Sequence, residues 1–362
     1  MQFKEIKIAD LKEFLNSELY LHSKNIPITK QRALSQFANP RADKDAIALF
    51  IAINNDNKII GFIGALPEKI PNISAKLTWN SCWWIDPNNG KQVALPLFLK
   101  FLKNWNNLVM FRDLTDKTEQ IIFRLNRFKK VKKLTGYKYF LRLKTAEILI
   151  NRNKNFNYIK PVLQFVDFIF NKGFSLKNKS FLRPKNILFT ANKIDKIDEE
   201  SEKFILQNNK NELFKRSKKE LNWILKQPWI CSKSHKKPNQ FYYFSDVSAV
   251  FKNYVYKIYS DKTLVAVLFL TNNNGLVKVP YAYFLNGKES VVLAFLYQFL
   301  LQEKATSFFV INPKLQTAIE QNENPFWYKK VIQKDFVVSK KLAALLPEKF
   351  TFQDGEGDFV FT

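Results

Sequence analysis

One order of elements occurs twice in this chain, and any fold proposed for it must accommodate two copies. In the first copy, Lys58–Leu66 reads as a strand and Leu77–Asp86 as the next. The turn Asn89-Gly90-Lys91 then opens an amphipathic helix over about Gln92–Trp105, and Leu108–Arg112 follows as a strand. In the second copy, Thr263–Leu270 and Leu276–Phe284 are strands, Asn286-Gly287-Lys288 is the turn, Glu289–Glu303 the helix and Ser307–Ile311 the strand. Asn and Gly are common in turns, so either tripeptide alone means little. The shared sequence of strand, strand, turn, helix and strand is what implies a duplicated α/β unit.

Periodicity extends both copies. Phe3–Ile8 alternates as a strand, and Ala9–Tyr20 has helical spacing. Ala48–Ile53 and Ile59–Leu66 form a hairpin across Asn54–Asn57. Thr115–Leu125 reads as a helix, followed by strands Phe128–Leu134 and Tyr137–Leu143 across a Thr135-Gly136 turn. The second copy starts near Ile187–Ala191 and ends with strands Trp327–Ile332 and Phe336–Ser339. The expected organisation is an N-terminal domain over 1–145, a bridging helical segment over 146–185 with an apolar stripe in Tyr158–Phe170, and a C-terminal domain over 186–362. Each domain is a twisted mixed sheet flanked by helices, of the mixed α+β kind.

The composition excludes several classes. Nine Gly and two Cys leave no room for a collagen-like, disulfide-stapled or Cys-rich zinc protein. No apolar run reaches the ~20 residues of a membrane span, and the first residues lack the apolar stretch of a signal peptide. A cytoplasmic protein is the expectation. The net charge of +26 is uneven: residues 1–150 carry 25 basic against 13 acidic side chains, 151–260 carry 22 against 9, and 261–362 carry 11 against 10. Only nine of the 58 basic residues are Arg. Because guanidinium forks suit phosphate better than ammonium does, the charge by itself selects neither an anionic partner nor biased composition.

The order of elements resembles the GNAT acyltransferase fold. In that family the turn after the fourth strand feeds a helix whose N-terminal amides hold the pyrophosphate of acyl-coenzyme A, as helix N-termini can. The segment Trp83–Ala94 aligns with the family signature Arg/Gln-x-x-Gly-x-Gly/Ala: Ala94 satisfies it, whereas Asn89 and Gln92 depart from it. The resemblance implies an acetyl- or other acyl-CoA donor held by Trp84, Ile85, Asn89, Gly90, Lys91, Gln92, Val93 and Ala94. The second copy's loop, Leu285–Val291, keeps the general shape without the signature. The resemblance further implies N-acyl transfer to a small-molecule amine bound between the copies, with no DNA partner. More distantly the chain resembles the Fem-type aminoacyltransferases, which pair two GNAT-like domains and use aminoacyl-tRNA; the long helical arm usual in that group has no clear counterpart here. A binding protein without catalysis is the third reading.

Acyl transfer to an amine needs a group to accept the amine proton and one to protonate the leaving thiolate. Asp86 near the turn is a candidate, although Asp86-Pro87 also reads as a strand-ending turn. Tyr281 and Tyr283, two apart on one strand face, are candidates that read equally as packing residues. The stretch between the first helix and second strand borders the acceptor in GNAT folds, which makes His22, Arg32 and Arg41 candidates for acceptor binding. No metal site is expected. Cys231 and His235 lack further partners, Cys82 reads as a core thiol, and the alternating acids of Asp354-Gly355-Glu356-Gly357-Asp358 read as a turn before a closing strand over Phe359–Phe361. Arg124, Arg127, Lys129, Lys130, Lys132 and Lys133 form the densest basic run, read as a solvated edge or a grip on phosphate.

Overall fold

The structure is a computed structural model describing residues 1–182, 187–232, 236–237 and 239–361. In the first half the strands are β1 (Gln2–Lys7), β2 (Ile47–Ile53), β3 (Ile59–Ile70), β4 (Ile73–Ile85), β5 (Val109–Arg112) and β6 (Phe128–Phe140). In the second they are β7 (Thr190–Ile194), β8 (Phe251–Ser260), β9 (Thr263–Asn273), β10 (Leu276–Phe284), β11 (Ser307–Val310) and β12 (Tyr328–Ser339). Ile, Val, Phe and Tyr dominate these runs, as suits a pleated, half-buried surface.

All twelve belong to one sheet, in the order β1-β2-β3-β4-β5-β12-β6-β11-β10-β9-β8-β7. Adding six to each strand of the first half gives its counterpart in the second, so the order is palindromic about the β12–β6 pair. The halves have exchanged their last strands. β12 lies between β5 and β6, and β6 lies between β12 and β11. The two expected sheets are therefore fused into one, and the duplication is visible as a pseudo-twofold relation.

Most helices and strands form where periodicity places them, and the exceptions have local causes. The first helical stretch is two short helices, Leu11–Phe14 and Glu18–Leu21, separated where the Ser17 hydroxyl accepts from the Tyr20 amide. The segments flanking Thr135-Gly136 are a single strand, β6, with no turn. Gly136 is required there because a Cβ would lie 2.3 Å from the ring of Phe309 on the neighbouring β11; a strand Gly marks close approach as well as bends. The two short strands expected at 327–339 are likewise one strand, β12, irregular only between Phe336 and Val337. The expected closing strand Phe359–Phe361 is a 3-10 turn.

Three large apolar clusters hold the sheet. One packs the first half's helices on β1–β4, with Phe50, Phe62, Phe98 and Phe101 fully buried. A second packs the helix Glu289–Gln302 on β8–β11. The third lies between the halves, joining Trp79 and Met110 of the first to Tyr281, Tyr283 and Phe336 of the second.

This architecture makes Gly136 a stability determinant far from any loop. Gly136→Val inserts three carbons against Phe309 and is expected to destabilise the fold by about 1–3 kcal/mol or more, the usual cost of overpacking. Urea denaturation reads the effect; an unchanged midpoint would show that the β6–β11 contact yields freely.

Candidate active site

The two halves repeat one local irregularity. β4 and β5 run parallel and pair only at Thr78–Val109 and Trp79–Met110, although β4 continues to Ile85. β10 and β11 pair only from Leu276–Ser307 to Lys278–Phe309, although β10 continues to Phe284. At the point of divergence each strand bulges by one residue: Ser81 is extra between the Ala65–Asn80 and Gly64–Cys82 pairs, and β10 has an extra residue between Lys278 and Tyr281. A bulge bends its strand and interrupts the ladder. Each half thus contains a wedge between parallel strands, open toward the turn and helix that follow.

The second wedge is sealed by the chain itself. The Gly355 amide donates to the Pro280 carbonyl at 2.8 Å. The Gln353 side chain accepts from the Ala282 amide and donates to the Ala282 carbonyl, both at 3.3 Å. The same Nε2 donates to Glu212 at 2.6 Å, and the Tyr281 hydroxyl donates to the Gly355 carbonyl at 2.9 Å. In the first half, no described segment pairs with the edge of β4 facing β5 beyond Trp79.

The turn after β4 is tightly built. The Asp86 amide donates to Ile60 and the Gly90 amide to the Asp86 carbonyl, each at 2.9 Å. One Asp86 carboxylate oxygen accepts from the amides of Asn88 at 2.8 Å and Asn89 at 3.1 Å. Two of the loop's donors are therefore already taken by a carboxylate, as in an Asx turn. A Cβ on Gly90 would lie 2.4 Å from the Ile60 carbonyl. A 3-10 turn, Lys91–Val93, leads into the helix Ala94–Asn104, which has no side-chain cap at its start. Of the residues proposed to hold a donor, Trp84 and Val93 are buried, Trp84 stacking on Phe62, whereas Asn89, Lys91 and Gln92 are exposed. Ile85 and Ala94 are half-buried.

A cleft of about 480 Å³ beside this turn brings His22 together with Asp86 and Asn89, along with Lys24, Lys58 and Glu18. His22 faces Glu18 at 2.8 Å and is exposed. Arg32 and Arg41 lie elsewhere, inside the protein. Arg32 packs over Trp229 and Tyr242 and donates to the Ser245 carbonyl.

Arg41 belongs to a buried ionic assembly that the sequence did not reveal. Arg41 donates to Glu68 at 2.5 Å, and Arg216 donates to both Glu68 oxygens at 2.9 and 2.8 Å and to Glu356. The Trp79 indole donates to Glu68 at 3.2 Å. Burial opposes the charge on Glu68, yet the Arg216 and Arg41 guanidiniums hold its carboxyl at about 2. Alongside, Arg112 at the end of β5 donates to Asp354 at 2.5 Å and to the Asp354 and Glu356 carbonyls. The alternating acids of the last segment thus face arginines: Asp354 meets Arg112, Glu356 meets Arg216, and Asp358 feels Arg32. The intervening glycines lie flat on aromatic rings, Gly355 on Tyr281 and Gly357 on Trp79. Among the described residues no group of three or more His, Cys, Asp or Glu could hold a metal; His235 lies outside them.

The remaining candidates take structural positions. Tyr281 and Tyr283 are buried on one face of β10, rings parallel 6.4 Å apart. Burial raises both hydroxyls above the usual phenol range. Among the described residues the Tyr283 hydroxyl has no hydrogen-bond partner. Glu212 nearby is pushed up to about 7 by burial. Cys82 is a buried thiol raised to about 11 by burial. In the basic run, Lys130 bridges Glu119 and Asp335, and Lys132 reaches the Phe350 carbonyl.

No protein-family model matches the sequence, and no curated protein matches it. Solved structures do resemble the fold. A conserved protein of unknown function from Enterococcus faecalis V583, described as a probable N-acyltransferase, superposes with a TM-score of 0.51 at 11% identity over 94% of this chain and 73% of that one. N-myristoyltransferase from Saccharomyces cerevisiae with bound myristoyl-CoA aligns at 0.48 and 11% identity, over 93% and 78%. A GCN5-related N-acetyltransferase from Anabaena variabilis aligns at 0.47 and 9%, over 93% and 72%.

Two measurable consequences follow from the buried charges. Arg216→Met strands Glu68 and Glu356 without their shared partner and is expected to cost about 3–5 kcal/mol, the usual penalty for breaking a buried pair from one side; a urea midpoint within error of wild type would contradict this. Glu212, raised from 4.5 to about 7, contributes stability that is full below pH 4.5 and lost as the pH rises through 7. Melting temperatures between pH 5 and 8 should fall in the wild type and flatten in Glu212→Gln; the same slope in both proteins would assign the effect to another group. The chain thus shares the fold of the Enterococcus structure and builds it from two copies of one mixed α/β unit, each with a bulged, diverging strand pair.

Proposed function

We propose that the chain is an acyl-CoA-dependent N-acyltransferase that holds its donor in the first half. The observation that carries this reading is the asymmetry of the wedges. The second is filled by Gln353 and Gly355, whereas the edge of β4 over Asn80–Ile85 pairs with no described segment on the β5 side. An extended acyl-pantetheine arm is the kind of ligand that satisfies such an edge, because it carries amide donors and acceptors spaced along a chain.

The turn Asp86–Gly90 and the uncapped start of the helix Ala94–Asn104 supply the polar end of this site. The helix dipole and the first amides favour a diphosphate, and Lys24, Lys58 and Lys91 add positive charge around it. Asp86 already occupies the Asn88 and Asn89 amides, and the Val93 and Ala94 amides donate to the Gly90 and Lys91 carbonyls, so the diphosphate is assigned to the amides of Lys91 and Gln92. A backbone amide on β4 would polarise the thioester carbonyl. The acceptor amine attacks that carbonyl, an amide bond forms, the carbon–sulfur bond breaks, and the amine's proton leaves to balance the departing thiolate. The acceptor is assigned to the cleft that His22 lines together with Asp86 and Asn89, since Arg32 and Arg41 are buried elsewhere; acetyl is the simplest acyl group.

Isothermal titration with acetyl-CoA at two salt concentrations tests the reading, since non-specific attraction to a +26 chain fades with ionic strength. One salt-tolerant site per chain is expected. Gly90→Ala, which drives a methyl into the Ile60 carbonyl, should weaken it by about tenfold or more, a loss of about 1.4 kcal/mol. Ser290→Glu, at the equivalent helix start in the second half, should leave it unchanged. The reverse pattern would move the donor to the second half, and absence of saturable binding to wild type would defeat the acyl-CoA reading.

A further inference from the structure

We propose that the helical hairpin between the two halves is a docking surface for an anionic lipid bilayer, on which the protein lies without crossing it. The hairpin consists of the helix Thr145–Arg152 and the eighteen-residue helix Lys160–Lys177. The longer helix is apolar on both sides, and its polar anchors face inward. Its inward stripe includes Asp167 and Asn171, and no residue of the helix is fully buried. Its outward stripe is Val162, Phe165, Val166, Ile169 and Leu176, exposed by 62, 62, 49, 54 and 55%. These positions follow i, i+3, i+4, i+7 and i+14, a continuous apolar face.

The orientation is enforced by hydrogen bonds rather than left to chance. The Asp167 carboxylate accepts from the amides of Thr145 at 2.9 Å and Ala146 at 3.1 Å, capping the shorter helix. The Asn171 side chain accepts from the Leu143 amide and donates to its carbonyl, at 2.9 and 3.0 Å. On the same side Phe170 packs against Trp327. Turning the apolar stripe inward would break all of these contacts and leave polar groups unsatisfied. The exposed apolar face is thus a built feature, and contiguous apolar surface of this kind on a folded protein marks an interaction site.

Charge selects the occupant. Residues 142–182 contain eight Lys and Arg against two Asp and Glu, and one of those acids, Asp167, is turned inward as the cap. Basic residues flanking an apolar helical face match an anionic lipid surface: the face enters the acyl boundary while the ammonium groups meet the headgroups. Lys172, beside this face, holds its ammonium over the Phe168 ring at 5.9 Å. The helix is about 27 Å long at 1.5 Å per residue, and no described helix is long and apolar enough to cross a membrane.

Co-sedimentation of the full chain with phosphatidylcholine vesicles, with and without about 30% phosphatidylglycerol, tests the proposal. Binding to the anionic vesicles is expected. The double variant Phe165→Ser/Ile169→Ser keeps every charge and alters only exposed side chains; it should melt with the wild type yet bind at least about tenfold more weakly. Equal binding by the variant would overturn the proposal, because net charge alone would then account for the attraction. A wild-type dimer that the variant converts to monomer, with vesicle affinity unchanged, would assign the face to a second copy and overturn it as well.

Discussion

The long antiparallel pairing of β6 with β12, running from Phe128–Ser339 to Phe140–Tyr328, decides how every other part of the molecule sits. Each strand belongs by sequence to one half and by position to the seam between halves. Without these two strands, β5 and β11 would each end at an unpaired edge, a liability in any sheet. With it, a single sheet of twelve strands runs across the molecule. The apolar cluster between the halves then has two walls, with Trp79 and Tyr281 on opposite sides. Phe336, carried in on β12, joins them.

The exchange also sets the path of the chain after β12. Because β12 ends deep in the first half, the following segment must cross back over the seam, and it does so through a region already dense with side chains. Alternating Gly with acids solves the packing. The glycines allow the backbone to lie against Tyr281 and Trp79, and the acids turn toward Arg112 and Arg216. Such an arrangement costs desolvation that a purely apolar seam would avoid. What it supplies is direction: Asp354 accepts from Arg112 and Glu356 from Arg216, so one register of the crossing segment satisfies the donors and a shifted one leaves charges unpaired. Four of the nine arginines, Arg32, Arg41, Arg112 and Arg216, are used in this interior. Lysine, a compact and strongly hydrated charge, serves the surface.

The duplicated order of strand, strand, turn and helix was legible because its signals are local: Asn-Gly turns, alternating strands and helical spacing reside in short windows. Partner choice between strands is not local. β6 and β12 alternate alike, and nothing in either sequence says which half will receive it. Gly136 was read as a turn because a strand Gly and a turn Gly look the same until the Phe309 ring is in place. The candidate site divides in the same way. Asp86 is legible as a neighbour of the turn and His22 as part of the stretch after the first helix, and one cleft contains both. Arg32 and Arg41 were conspicuous as rare arginines near that stretch, but sequence does not tell a guanidinium facing a cleft from one facing Glu68. The role of Gln353 at the second wedge had no signal at all, since it depends on 71 residues of separation from Ala282.

Duplication followed by exchange leaves two equivalent wedges, and the closing segment can reach only one of them. Its residues Gln353 to Gly355 complete the hydrogen bonds of β10. Its next residues turn away along Trp79 and Arg112 without pairing to the edge of β4. A sealed wedge is a structural element, because its backbone groups are satisfied and its interior is filled. The unsealed one has an edge that no described segment pairs with, beside a tight turn and a helix start. Buried backbone groups are seldom left without partners in a native protein. The difference between the wedges is therefore a difference in what completes them: the chain itself in the second half, and, on the function proposed above, an extended ligand carrying its own amides in the first.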